Sequence, residues 1–168
     1  MGLLSFIKGA GEKLLGIGEA KAAQAEVAAA PTPENVAKLS DAAGQAIATY
    51  ITKQGLQVDG LSVGFDAPSA TVTVAGMAPD QATKEKVVLC CGNVENVAAV
   101  NDLLTVANPE PEATWHTVVS GDTLSKIAKH AYGDANKYPV IFEANKPMLS
   151  HPDKIYPGQK LRIPPLAS

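Results

Sequence analysis

Trp115-His116-Thr117-Val118-Val119-Ser120-Gly121-Asp122-Thr123-Leu124-Ser125-Lys126-Ile127-Ala128 is the stretch from which the organisation of this 168-residue chain can be read outward. Thr117–Val119 predicts a short strand, and Gly121 turns the chain. Asp122 or Thr123 then offers a side-chain oxygen to the free N–H groups at the start of a helix. Leu124, Ile127 and Ala128 follow at helical spacing and turn one face of that helix inward. Tyr138, Ile141 and Phe142 do the same for a second helix. Pro157-Gly158 leads into a last strand, Lys160–Ile163. The unit predicted over residues 114–166 is therefore β-α-α-β.

Composition around this unit narrows the function classes. The 14 Lys+Arg and 17 Asp+Glu give a net charge of −3, with pI near 5.6, which excludes a generic nucleic-acid binder with a basic face. The charge is uneven: residues 114–168 carry +3 and residues 1–113 carry −6. Two cysteines exclude a disulfide scaffold. Cys90 and Cys91 are adjacent, which is unfavourable for an ordinary disulfide between them, and they are expected to pack in a core. No apolar run approaches the roughly 20 residues needed to cross a bilayer, so no membrane insertion is expected. His116, His130 and His151 have no nucleophile or carboxylate at informative spacing, and there is no phosphate loop or metal motif. Asp122 and Asp153 read as turn caps. An enzyme is not expected, and the chain is expected to be a monomer.

Upstream, Asn108-Pro109-Glu110-Pro111-Glu112 marks a linker, residues 107–113, that closes off an earlier module. Thr32-Pro33 starts a helix in which Val36, Leu39, Ala43, Ile47 and Tyr50 repeat at helical spacing until Gly55. Leu61, Val63 and Phe65 alternate, as do Val72 and Val74 beyond Asp66-Ala67-Pro68-Ser69, which predicts a hairpin with a four-residue loop. Asp80 is a fair cap for a helix carrying Val87, Cys90, Cys91 and Val94, broken around Gly92-Asn93. Val97–Val106 is the final strand. Residues 32–106 thus read α-β-β-α-β.

At the N-terminus, Leu3, Phe6, Ile7, Ala10 and Leu14 share one face at helical spacing, so residues 1–15 are expected to form a short amphipathic helix docked on the first module. The segment has no basic n-region or cleavage site, and Phe6 stands where an acylation signal needs Ser or Thr, so the expected address is the cytoplasm. Residues 16–31, rich in alanine, read as a linker or marginal helix. The fold class expected is α+β with two small domains.

The segments Val74-Ala75-Gly76 and Gly92-Asn93-Val94-Glu95-Asn96-Val97-Ala98-Ala99-Val100, in that element order, resemble the BON domain family. Trp115–Ala128, Ile141–Pro147 and Ile155–Pro164 resemble the LysM family. LysM domains commonly bind N-acetylglucosamine polymers, and that resemblance implies a groove with Gly121, Asp122, Thr123 and Leu124 facing Pro147, Met148, Leu149 and Ile155. A glycan- or peptidoglycan-binding adaptor is the alternative function.

Met1-Gly2-Leu3, Phe6, Lys8, Ala10-Gly11-Glu12-Lys13-Leu14 and Gly92-Asn93, ahead of a LysM module, resemble a narrower family of small bacterial proteins that bind potassium in the cytoplasm. The resemblance implies a potassium ion, with rubidium or caesium able to take its place, held by the backbone oxygens of Ile7, Ala10, Glu12, Gly92, Val94 and Val97. Ion binding is expected to tie the N-terminal segment to the BON module and so to close a contact between the BON and LysM modules. The chemistry is compatible. Potassium suits a ring of neutral carbonyls. Gly9 and Gly11 loosen the first segment, and the second follows a helix C-terminus, where the dipole favours a cation.

Overall fold

Residues 2–6, 11, 13 and 18–166 are described by a computed structural model. The long apolar stripe of the first module becomes α2, Pro33–Lys53, capped by the Thr32 hydroxyl, which accepts from Asn35 N–H. Its Ala43, Ile47 and Ile51 are fully buried, each large side chain contributing about 1.5–3 kcal/mol by leaving water. They cover one face of a sheet that begins with the hairpin β2, Asp59–Asp66, and β3, Thr71–Asp80. Asp80 caps α3, Gln81–Gly92, through a 2.7 Å bond from Thr83 N–H. After α3 the chain runs into β4, Ala99–Asn108, parallel to β3. The element order over these residues is α-β-β-α-β.

Several sequence expectations need correction here. Gly2–Ser5 form not the start of a helix but strand β1, antiparallel to β4, so the sheet order is β1-β4-β3-β2. Leu4 and Phe6, two residues apart, pack against the core, whereas Leu3 is exposed. Strand alternation wins because the edge of β4 offers backbone partners to the segment. Ile7, Ala10 and Leu14, expected on the helix face, lie outside the described residues.

Residues 16–31 are not a plain linker, since Gly18–Ala29 form helix α1 on α2. Alanine is the best helix former, and a helix without an apolar stripe leaves no periodic signal. Asn35 ties down its far end by donating to Ala30 O at 2.8 Å. The last strand of the module starts two residues late, because Val97 N–H is spent on a turn to Val94 O, 3.1 Å.

The second module is β5, Thr114–Thr117; α4, Leu124–Tyr132; a 3-10 turn, Ala135–Lys137; α5, Tyr138–Ala144; and β6, Lys160–Ile163. β5 and β6 pair antiparallel. Thr123, rather than Asp122, is the cap of α4, accepting from Lys126 N–H. Leu124, Ile127, Ala128, Ile141, Leu149 and Leu161 form its core. Tyr138, expected inward, is exposed at the first position of α5.

Candidate functional site

The two segments expected to supply ion ligands meet. Gly92 ends α3, whose last helical bond runs from Asn93 N–H to Leu89 O at 2.9 Å. The carbonyls at this end of α3 carry the negative end of the helix dipole. Val94 and Val97 are fully buried, and their side chains sit in the core with Cys90, Cys91 and Val100. What these residues can present to a ligand is therefore main chain. Asn96, at φ +75°, holds the turn between them in the left-handed region.

Against this turn lies the N-terminal segment. Gly11 has φ +122°, and a Cβ built there would stand 2.6 Å from the Asn93 carbonyl carbon, closer still to its oxygen, and 3.1 Å from Glu95 N. Only glycine allows that approach. A Cβ on Gly92 would fall inside the Phe6 ring. Ile7, Ala10 and Glu12 lie outside the described residues. Of the expected second segment, Gly92 lies against Phe6, and Asn93 and Glu95 lie against Gly11.

The chemistry of this junction fits a monovalent cation. Among the described residues no group of three or more His, Cys, Asp or Glu side chains could hold a metal. Close-packed main chain at a helix C-terminus is the donor set a large, weakly hydrated ion accepts. Cys90 and Cys91 are buried and form no disulfide, and burial pushes the Cys91 thiol well above its usual range.

The second module is fastened to the same place. Asn93 Nδ2 donates to Lys160 O at 2.7 Å, and Asn93 Oδ1 accepts from Lys160 N–H at 2.9 Å. Lys160 Nζ donates to Ser5 O at 2.6 Å and sits 4.6 Å above the Phe6 ring, and burial lowers its pKa. A second fastening is a buried ion pair. Arg162 donates from Nη2 and Nε to Glu85 Oε1 at 2.7 and 3.1 Å, while Glu85 Oε2 accepts from Ala113 N–H and Gln81 Nε2.

A family model for the LysM domain matches residues 116–164. Across 164 residues, 98% of this chain and 99% of the relative, the sequence is 41% identical to "Potassium binding protein Kbp" of Escherichia coli O6:H1. The chain belongs to the Kbp family. Two further relatives share only a short stretch. An uncharacterized protein of Deinococcus radiodurans is 57% identical over 51 residues, 30% of this chain and 19% of that protein. An esterase of Mycobacterium tuberculosis is 47% identical over 53 residues, 32% of this chain and 11% of the esterase. The Kbp match, by contrast, includes the N-terminal segment, the first module and the LysM domain together.

In this Kbp-family chain the residues of the possible glycan groove divide. Leu124 and Leu149 are buried in the LysM core, and Ile155 packs against it. Gly121, Thr123 and Pro147 are exposed. Asp122 is engaged by His116 Nε2 at 2.9 Å and by Val119 N–H at 3.0 Å, which holds its carboxyl below the usual range. Met148 packs on the core of the first module and borders an inter-module cleft of about 250 Å³ with Tyr50, Leu89 and Asn93. Among the described residues no helix is long and apolar enough to cross a membrane.

Sequence reasoning missed β1, Lys160 and the Glu85–Arg162 pair. Glu85 stands between Lys84 and Lys86, so nothing in the sequence marks its carboxylate as buried.

Proposed function

We propose that this protein binds potassium, with rubidium or caesium able to substitute, through the backbone oxygens of Ile7, Ala10, Glu12, Gly92, Val94 and Val97. In this reading residues 32–106 are a BON domain, the protein is a cytoplasmic monomer that senses or buffers the ion, and it is not an enzyme. The observation that carries the reading is the closure of Gly11 onto Asn93 and Glu95, which leaves no room for a side chain. Whole-length similarity to a relative named for potassium binding supports the choice of ion.

An ion shared by two segments favours the state in which both are present. Binding therefore shifts the population toward the form with the N-terminal segment docked and the LysM domain held by Lys160 and Arg162. Small-angle scattering in potassium and in sodium tests this: the potassium profile is the more compact, and identical profiles would contradict the closure. Deleting residues 2–14 abolishes potassium binding and leaves the LysM domain folded. Retained affinity in that truncation would defeat the two-segment site.

A further inference from the structure

Strand β6 pairs with β5 along one edge only. Its other edge exposes the main-chain groups of Lys160 and Arg162, two residues apart, and both are met by asparagine side chains. Asn145, from the LysM domain itself, gives Oδ1 to Arg162 N–H at 2.9 Å and Nδ2 to Arg162 O at 3.0 Å. Asn93, from the first module, does the same for Lys160 at 2.9 and 2.7 Å. A carboxamide has the donor and acceptor of a peptide group, so the two side chains act as an added strand along an edge that would otherwise lack partners.

Asn93 differs from Asn145 in where its backbone lies. It stands between Gly92 and Val94, two of the proposed ligands, and its carbonyl is the surface on which Gly11 closes. One residue thus touches the N-terminal segment, the end of α3 and the edge of β6. From this geometry we infer that Asn93 is the positioning residue that couples ion occupancy to the docking of the LysM domain. The inference rests on the ion site proposed above. When the ligand segments are held together, the Asn93 main chain is fixed and its carboxamide is presented to β6 in register. When they part, the carboxamide loses that orientation. Coupling of this kind is reciprocal: potassium stabilises the docked LysM domain, and the docked domain tightens potassium binding by the same factor.

Trp115 is the single tryptophan of the chain and lies in β5, opposite Arg162 of β6, so its fluorescence reports the LysM domain. In the full-length protein, potassium chloride raises the Trp115 thermal transition above that in sodium chloride at equal ionic strength. Asn93→Ala binds potassium about tenfold more weakly by calorimetry, equivalent to ~1.4 kcal/mol, and its Trp115 transition no longer responds to potassium. Asn93→Gln, which keeps charge and polarity and displaces the carboxamide by one methylene, also loses the response. Lys126→Met, which loses only a bond to Gly121 O inside the LysM domain, retains it. A Trp115 transition that follows potassium in Asn93→Ala or Asn93→Gln as in the wild type overturns the inference, and so does loss of the response in Lys126→Met. If the wild type gives potassium binding heat but no Trp115 shift, the coupling fails while the ion site stands. If it gives neither, the ion site fails and takes the coupling with it.

Discussion

Gly11→Ala places one methyl group at the contact between the two proposed ligand segments. At φ +122° an L-residue is strained by about 1–3 kcal/mol. The new Cβ would also lie 2.6 Å from the Asn93 carbonyl carbon, far inside ordinary contact, and the obstacle is main chain, which no rotamer change relieves. Neither penalty applies while the segment is undocked, so both fall on the ion-bound form. Strain alone, at 1–3 kcal/mol, corresponds to a 5- to 150-fold weaker potassium affinity. Isothermal calorimetry on the full-length variant measures this directly, with circular dichroism of the ion-free protein expected to match the wild type.

Gly133→Ala is the control. Gly133 has φ +77° as the C-cap of α4, but open space around its Cβ position, so it carries backbone strain without a clash. It should lower LysM stability by about 1 kcal/mol and leave potassium affinity unchanged. Wild-type affinity in Gly11→Ala would refute the argument that docking of this segment makes the site.

Other consequences follow from the same contacts. Glu85→Ala strands the buried Arg162 guanidinium and the Ala113 N–H, and should cost about 3–5 kcal/mol in urea unfolding; an unchanged midpoint would show that the pair is not buried as described. The Thr83 side-chain and backbone hydrogen bonds hold the Asp80 carboxyl below its ordinary value of 3.8. Its contribution is therefore present above pH 3.8 and lost as pH falls through the lower folded value. Asp80→Asn, an equally good cap, should unfold with a shallower acid dependence than wild type, read by circular dichroism at 222 nm. Matching acid profiles would remove Asp80 from the account.

Much of the architecture was legible because it is written in local periodicity. The stripe of α2, the alternation of β2 and β3, the Asp80 cap and the helices and last strand of the LysM domain all follow from side chains a few residues apart, whereas the first LysM strand lies at Thr114–Thr117, ahead of the expected Thr117–Val119. β1 was misread because Leu3, Phe6 and Ile7 suit a helical face, while the alternation of Leu4 and Phe6 is too short to outvote it. The edge of β4 that decides the matter lies about a hundred residues away in sequence. Residues 16–31 read only as a linker or marginal helix because alanine forms helices without an apolar stripe.

The proposed ion site has no side-chain signature. Val94 and Val97 read as core residues, and their side chains are core residues; only their main chain is available to a ligand. The pairing of Asn93 with Lys160 spans 67 positions, and in sequence Gly92-Asn93 looks like any helix end. Family resemblance was therefore the only route from sequence to the ligand set, and the structure adds the close approach of Gly11.

The central claim is that this chain binds potassium selectively. Calorimetric titration of ion-stripped, full-length protein with potassium, sodium and calcium chlorides tests it most directly. The account predicts saturable one-site binding heat for potassium and only dilution heats for sodium and calcium. A flat potassium titration would contradict it.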